Sequence, residues 1–392
     1  MFSSNKLSDQ FVITQNKLGN GAFGSVYVAK LNEKDIAVKC ESKTNTNLTL
    51  LREFKICRKI YTIKKYLKYC MYLEDPDISN KDKIIGQIQN MELNPIVKIY
   101  NYLTVNNLLT IPNELPMDYL VKVKCIPETF SYIECNDFNF LTMELCGDNF
   151  ESITEKYILS EGAKYFLAHK LLHTMSCLHR SGIIHRDIKL SNLVLNKKLE
   201  GLGLDSIKKL YPIIIDLGLS KEYYKYEGER VLMIVPHQTK NITGTLRYIS
   251  LNIHEHKSPS IVDDLISLTY SLIVIFTEKN LPWIGHKKDQ DKFDPNKHVH
   301  SNCKCGYHKN KANNDTKTKN TIAEVKYHTP LEDLVGSKYK FLTKWLKYLY
   351  SLKLKQLPSY NQLYKMLYDE TKHIENMYMQ LVQKFIENDD NE

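Results

Sequence analysis

His185-Arg-Asp-Ile-Lys-Leu-Ser-Asn192, followed downstream by Asp216-Leu-Gly218, gathers a candidate base, a cation and two candidate metal ligands on a short span of chain. Asp187 can accept the proton of an incoming hydroxyl, and Asn192, five residues later, offers a neutral oxygen to Mg²⁺. Lys189 brings a cation to the same loop. Asp216 closes the apolar run Ile213-Ile-Ile215, which reads as a buried strand, so its carboxylate should emerge at a strand end. Phosphoryl transfer calls for these groups: its loose transition state leaves the protein to position the nucleophile and neutralise phosphate charge, with two Mg²⁺ ions. A solitary His-Arg-Asp triplet is more often a surface turn or an ion pair, so the surrounding sequence has to decide.

Upstream, Gly19-Asn-Gly21-Ala-Phe-Gly24 has the spacing GxGxxG. In a dinucleotide-binding fold a helix would open straight after the glycines and hold a pyrophosphate at its N-terminus. Here the sequel is Ser25-Val-Tyr-Val-Ala29, alternating and β-branched. It reads as a strand, which makes the glycines the tip of a hairpin able to lie over phosphates. Ile36-Ala-Val-Lys39 then carries a lysine inward on an apolar strand, where it is costly unless paired. Glu53, in the helical stretch Leu50-Leu-Arg-Glu-Phe-Lys-Ile56, is a suitable partner, while Arg52 and Lys55 read as solvated helix charges. The competing reading of Lys39 and Glu53 is a surface pair of little consequence; the order of the other motifs weighs against it.

Glycine hairpin, Ala-Val-Lys, helical Glu, HRDxKxxN and DLG, in that order, resemble the eukaryotic protein kinase family over residues 8–370. The resemblance implies an α+β, bilobal fold. Residues 8–147 would form a small, mainly antiparallel β N-lobe with one helix and the hinge, and residues 148–370 a larger, mainly helical C-lobe. An insertion falls at about 294–320 and a C-terminal helical tail at 371–392. It further implies Asp187, Lys189, Lys39 and Glu53 as catalytic residues and Asn192 and Asp216 as Mg²⁺ ligands. ATP would lie against Leu18, Gly19, Asn20, Gly21, Ala22, Phe23, Gly24, Val26, Ala37 and Lys39 on one side and Met143, Glu144, Leu145 and Cys146 on the other. Lys189, two residues past Asp187, resembles the serine/threonine type, so the implied activity moves the γ-phosphate of Mg-ATP to Ser/Thr hydroxyls of proteins.

Thr243-Gly-Thr-Leu-Arg-Tyr-Ile-Ser-Leu-Asn-Ile-His254, Asp263-Asp-Leu-Ile-Ser-Leu268 and Leu281-Pro-Trp-Ile-Gly285 resemble the casein kinase 1 family, with its vaccinia-related and other viral branches. Ser250-Leu-Asn252 stands where other kinases carry Ala-Pro-Glu. Phe140-Leu-Thr-Met-Glu-Leu-Cys-Gly147 resembles that family's fifth strand and hinge, with Met143 as gatekeeper and adenine met by the backbone of Glu144 to Cys146. Asp264 would anchor the base of the catalytic loop, with Asp263 a surface neighbour. The resemblance also implies activity without loop phosphorylation, and acidic or already phosphorylated protein substrates met by Arg247 and Gly285, with Lys287 and Lys288 nearby. Ile261-Val262 replaces two arginines of that family, so anion recognition is altered. DLG in place of DFG exchanges one apolar residue for another, and Leu190 stands where a proline is usual. Tyr223, Tyr224, Tyr226 and Thr239 are candidate phosphosites.

The chain has 392 residues, 43% of them hydrophobic, enough to bury two lobes of one kinase unit. Nine scattered cysteines and no secretory pattern in Met1-Phe-Ser-Ser-Asn-Lys6 imply reduced thiols in cytosol or nucleus; a viral origin would add the virion or host cytoplasm. The abundance of Lys, Asn, Ile and Tyr points to an AT-rich genome. The net charge of +9 comes without a zinc-finger, helix-turn-helix or aromatic RNA-binding signature, so the expected partners are protein substrates of a monomer rather than nucleic acid. Leu265 to Phe276 is apolar nearly all round but too short for a bilayer core of about 20 residues, so it reads as a buried helix and no membrane is implied. A nucleotide-binding pseudokinase scaffold is the alternative, which need not keep all of Lys39, Glu53, Asp187, Lys189, Asn192 and Asp216.

Three stretches fall outside the template. Tyr66 to Gln89 reads as an extended loop with a short helix. Val105 to Asp137 reads as a long connection between the fourth and fifth strands, with prolines 112, 116 and 127 against regular structure. The third, about 294–320, holds His298, His300, Cys303, Cys305 and His308, of the kinds Zn²⁺ accepts, but Cys-x-Cys lacks the usual spacer, and a mobile loop is the favoured reading. Ile374, Met377, Leu381 and Phe385 recur at near-helical spacing in the tail.

Overall fold

The structure, a computed structural model, describes residues 11–21, 24–45, 48–73, 81–105, 124–199, 210–234, 237–284, 321–353 and 356–371. Strands β1 (Val12–Gly21), β2 (Gly24–Leu31), β3 (Lys34–Ser42), β4 (Thr129–Glu134) and β5 (Phe138–Glu144) form one antiparallel sheet in the order β1-β2-β3-β5-β4. Asn32 and Glu33, both at positive φ, close the β2–β3 hairpin, as the right-handed twist of a two-residue connection requires. Alternation along β3 sorts its side chains. Ile36, Val38 and Cys40 join Phe11 and Phe140 on one face, while Ala37 meets Leu50, Leu141 and Met143 on the other. Lys39 and Glu41 share the second face with Ala37 by the same period of two.

Helix α1 (Leu50–Leu73) lies over that second face, and α2 (Lys81–Glu92) and α3 (Pro95–Val105) pack on its far end through Ile63, Tyr66, Ile84, Ile88, Val97 and Tyr100. Residues 66–73 thus continue α1 where a loop is expected, while the short helix expected in Tyr66–Gln89 is present as α2. Ile84 and Ile88, four apart, supply an inward stripe that the many charges around them obscure in the sequence. The long β4–β5 connection is also corrected. The two strands are joined by residues 135–137, with Cys135 N–H donating to Phe138 O at 2.9 Å, and α3 occupies the stretch before Val105.

The C-lobe is mainly helical: α4 (Phe150–Lys156), α5 (Glu161–Arg180), α6 (Leu251–His254), α7 (Ile261–Thr277), α8 (Ile322–His328), α9 (Leu331–Val335), α10 (Lys340–Ser351) and α11 (Tyr360–Thr371). Between α5 and α6 run the short strands β6 (Ile183–Ile184), β7 (Leu193–Leu195), β8 (Pro212–Ile214), β9 (Lys221–Glu222), β10 (Tyr224–Glu227) and β11 (Arg230–Met233). Asn149 and Ser160 cap α4 and α5 by accepting from Ser152 N and Ala163 N. α7 is buried almost throughout, and Phe276 meets Tyr165 and Phe341 edge-on at 5.1 and 5.3 Å. Each such ring, once buried, contributes about 1.5–3 kcal/mol of apolar transfer energy. Among the described residues no helix is long and apolar enough to cross a membrane. The 294–320 insertion with its His and Cys residues, and the tail beyond Thr371, lie outside the described residues.

Candidate active site

The sheet and α1 bring a cation to two carboxylates. Lys39 Nζ donates to Glu53 Oε1 and Oε2 at 2.8 and 2.9 Å and to Asp216 Oδ1 at 3.0 Å. Burial works to neutralise both ends of this cluster, lowering the lysine and raising the Glu53 carboxyl. The charges of Asp216 and Glu53 outweigh that for Lys39 and hold it protonated well above the ordinary lysine range. The Lys39 charge in turn holds the Asp216 carboxyl below its usual value. The position of α1 depends on Glu41, whose buried carboxylate accepts from Thr49 N at 2.8 Å and Leu50 N at 3.2 Å, while its other oxygen takes Asn139 Nδ2 at 3.2 Å. A carboxylate at a helix N-terminus satisfies otherwise orphaned amides and complements the helix dipole.

The loop after β6 is held from α7. Asp264 accepts the His185 amide at 2.6 Å, the Arg186 amide at 2.8 Å and His179 Nε2 at 3.1 Å. Burial would raise its carboxyl, but the hydrogen bond from His179, with the His185 amide, keeps it below the usual range. Asp187 N–H donates to His185 Nδ1 at 3.2 Å, which leaves Nε2 to donate to Ile215 O at 2.9 Å. One imidazole thus fastens the Asp187 loop to the Asp216 loop. Arg186 and Asp216 themselves sit at φ 72° and 66°, left-handed conformations that cost non-glycine residues about 1–3 kcal/mol and persist only where the surroundings fix them.

Asp187 is surrounded by donors. Its Oδ1 accepts from Thr245 N at 2.8 Å and Thr245 Oγ1 at 2.7 Å; its Oδ2 pairs with Lys189 Nζ at 2.9 Å and accepts from Asn192 Nδ2 at 3.2 Å. Since the Asn192 amide nitrogen is spent on Asp187, its oxygen is left for a metal. Asn192 and Asp216 together offer the hard oxygen donors that Mg²⁺ prefers. The residues fit the ion.

The nucleotide side of the cleft has a similar logic. Gly24 lies where a Cβ would stand 2.0 Å from Cys40 O, so only glycine lets β2 approach β3 there. Ala37 and Met143 are register partners on β3 and β5, both buried. Val26 packs with them, and Leu145 joins the same cluster. Leu18 is 52% exposed at the rim. Glu144 turns its carboxylate to Lys124 at 3.1 Å and to the Glu128 amide at 3.1 Å, which leaves only its backbone for a ligand. Gly147 N–H donates to Leu195 O at 2.8 Å, Leu195 N–H to Asp148 O at 2.9 Å, and a Cβ on Gly147 would meet Lys197 O at 1.9 Å. Gly19 belongs to β1, as do Asn20 and Gly21 by backbone; Ala22, Phe23, Gly285, Lys287 and Lys288 lie outside the described residues.

On the far side, the segment before α6 is held by buried polar groups. Asp263 is not a surface neighbour of Asp264: it is 5% exposed, accepting from Asn252 Nδ2 at 3.3 Å and Ser260 N at 2.8 Å, with Ser250 Oγ at 2.5 Å. Burial raises its carboxyl, against these hydrogen bonds. Lys326 Nζ, from α8, donates to Leu246 O and Ile249 O, both at 2.7 Å, with the Tyr270 and Trp283 rings 5.4 and 5.1 Å away. Two candidate phosphosites are also corrected: Tyr223 and Tyr224 are buried, and the Tyr223 hydroxyl donates to His179 O at 2.6 Å.

A family model described as a protein kinase domain matches residues 90–389. The chain belongs to the protein kinase domain family. A probable serine/threonine-protein kinase of Dictyostelium discoideum is 29% identical over 261 residues, covering 65% of this chain and 44% of that relative, so the chain spans less than half the length of the relative it matches. The kinase match begins after β3 and α1. The kinase character of the N-lobe therefore shows in its geometry, where Lys39 and Glu53 meet Asp216, a residue inside the matched stretch.

Three residues that organise this kinase domain carry no signal of their role in local sequence. Glu41 sits two residues after Lys39, but its target lies on the next helix. Thr245 serves Asp187 across 58 residues and Lys326 serves Leu246 across 80. Glu41 and Lys326 fall outside the quoted motifs, and Thr245 lies inside one without a role being assigned to it, because the partner, not the neighbourhood, defines the role.

Proposed function

We propose that the chain is a Mg-ATP-dependent serine/threonine protein kinase of casein kinase 1-like type, active without phosphorylation of its own loop. The observation that carries this is the Lys39 ammonium bound by both Glu53 and Asp216 across the cleft, with Asp187 set beside Lys189 and Thr245. Bound Mg-ATP would supply the γ-phosphoryl group and the ADP leaving group. Lys39 would orient the α and β phosphates, and Asn192 and Asp216 would hold the metal. Asp187 would take the proton as a Ser/Thr oxygen bonds to phosphorus and the bridging P–O bond breaks, with Lys189 facing the charge on the transferred group.

Several contacts support activity without loop phosphorylation. Lys98 of α3 donates to the Tyr226 hydroxyl at 2.7 Å and lies 4.5 Å from its ring, Lys59 pairs with Glu222, and Tyr223 is tied to α5. The segment is held without added phosphate. A casein kinase 1-like preference for acidic or phosphorylated substrates is supported by Arg247, 38% exposed and 3.9 Å from Glu151. The free state of the seven described cysteines suits cytosol or nucleus.

Purified protein incubated with radiolabelled ATP and a protein substrate should transfer label, and Asp187→Ala should not. Label transfer absent from both, with ATP still bound, would favour the pseudokinase scaffold. Phosphatase treatment should leave the rate unchanged. Peptide arrays should gain from acidic or phosphorylated positions upstream of the acceptor; no gain rejects that preference.

A further inference from the structure

His179, the penultimate residue of α5, joins three elements of the C-lobe. Its Nε2 faces Asp264 of α7 at 3.1 Å, its Nδ1 lies 2.6 Å from the Tyr360 hydroxyl of α11, and its carbonyl accepts from the Tyr223 hydroxyl at 2.6 Å. His179 and Tyr360 are 0% exposed and Asp264 2%, so water cannot stand in for a lost partner. The place of Tyr360 is set by Trp345 of α10, whose Nε1 donates to Leu363 O at 3.0 Å further along α11. The donor count fixes the direction of each bond. Asp264 is an acceptor, already taking the His185 and Arg186 amides, so Nε2 carries a proton. Nδ1 is then either a lone pair or a second N–H. Burial holds the Tyr360 phenol protonated, well above the ordinary tyrosine range, and among the described residues its hydroxyl has a hydrogen-bond partner in His179 alone. An N–H at Nδ1 would strand that buried O–H without an acceptor. Tyr360 therefore donates, and the imidazole stays neutral with its proton on Nε2.

We propose that Tyr360 is a positioning residue for the phosphotransfer site. Its hydroxyl fixes the tautomer and tilt of His179, His179 fixes the Asp264 carboxylate, and Asp264 holds the two amides that bring Asp187 into place. The line is needed because Arg186 sits at φ 72°, a left-handed conformation that persists only where the surroundings impose it. A side chain on α11 thus acts on the base through His179 and Asp264. The part in turnover rests on the phosphotransfer reading, whereas the hydrogen-bonded line itself does not.

The test uses the full chain and Tyr360→Phe, which keeps the ring and removes only the hydroxyl. Nitrogen NMR of protein labelled with ¹⁵N-histidine, with Mg-ADP bound, should show one imidazole whose unprotonated nitrogen loses its hydrogen-bond shift in the variant. Spectra in which no imidazole changes overturn the proposal, whatever the activity. In kinetics Tyr360→Phe should lower kcat about three- to tenfold, the scale of one lost hydrogen bond, with KM for ATP and for peptide unchanged. A shifted imidazole with unchanged kcat overturns the positioning role. In His179→Gln the side-chain amide can donate to Asp264 from the place of Nε2 but leaves nothing at the place of Nδ1. Adding Tyr360→Phe to it should cost no further rate; losses that add mean that Tyr360 acts elsewhere and overturn the proposal. Thermal melts establish that each variant is folded, and the spectra with the kcat-against-KM split carry the decision if His179→Gln does not fold. If the imidazole responds while the wild type transfers no phosphate, it is the phosphotransfer reading that has failed, and the hydrogen-bonded line stands.

Discussion

Glu41 Oε2 accepts the backbone amide of Thr49 at 2.8 Å, so the strand that carries Lys39 also starts the helix that carries Glu53. One buried carboxylate thereby sets the register between the two halves of the ion pair.

Replacing that carboxylate should loosen both stability and chemistry. Glu41→Ala is expected to cost about 1–2 kcal/mol, the scale of a lost helix cap, measured by urea denaturation. The phosphotransfer rate should fall with it, while Glu41→Gln, which keeps an acceptor, should recover part of both. Unchanged stability in Glu41→Ala would remove the capping argument.

Asp187 should matter for turnover and not for nucleotide affinity, because its contacts are to Lys189, Thr245 and Asn192 rather than to the nucleotide wall. Asp187→Asn is expected to lower kcat by about two to four orders of magnitude with ADP affinity within a few-fold of wild type. Calorimetric titration alongside single-turnover kinetics checks both halves.

Acid stability follows from Asp264 and Asp216, whose carboxyls are held below the ordinary aspartate value of 3.8. The folded state then binds fewer protons than the unfolded one in this range, so their contribution is full above the ordinary value and drains away as pH falls through the lower folded values. Melting temperature should drop between about pH 5 and pH 2, and Asp264→Asn should flatten that drop while lowering stability at neutral pH. An acid limb as steep in Asp264→Asn as in wild type would contradict the assignment.

Lys326 should act on protein substrates and not on nucleotide. Lys326→Met leaves the Leu246 and Ile249 carbonyls without their donor, at a cost of about 1–3 kcal/mol. A raised KM for peptide with an unchanged KM for ATP is expected, since the loosened segment borders Thr245 and not the hinge.

Much of this architecture could be read from the chain alone. Lys39, Glu53, Asp187, Lys189, Asn192 and Asp216 announce themselves because each lies within a short motif whose spacing encodes its chemistry, and the structure brings Lys39, Glu53 and Asp216 into one cluster and Asp187, Lys189 and Asn192 into another. The stretch from Tyr66 to Gln89 is less legible. Its helical stripe is only Tyr66, Leu67, Ile84 and Ile88 among many charges, and α2 and α3 gain their stability by packing on α1 rather than from their own composition. The sequence alone does not place the fourth strand at Thr129–Glu134, because α3, with Ile99 and Tyr100 buried, is as apolar as a strand. Two adjacent carboxylates rarely both lie inside, so Asp263 beside Asp264 reads as a surface residue; here each faces its own set of donors.

Gly147 gives the link between the lobes an unexpected mechanical character. With its amide spent on Leu195, Asp148 accepting in return, and Lys197 filling the space a side chain would need, the connection is pinned to the lower lobe from that point onward. Bending between the lobes is left to the bonds of Leu145 and Cys146, so the wrist of the molecule is stiff where the chain is thinnest and pivots one step above it.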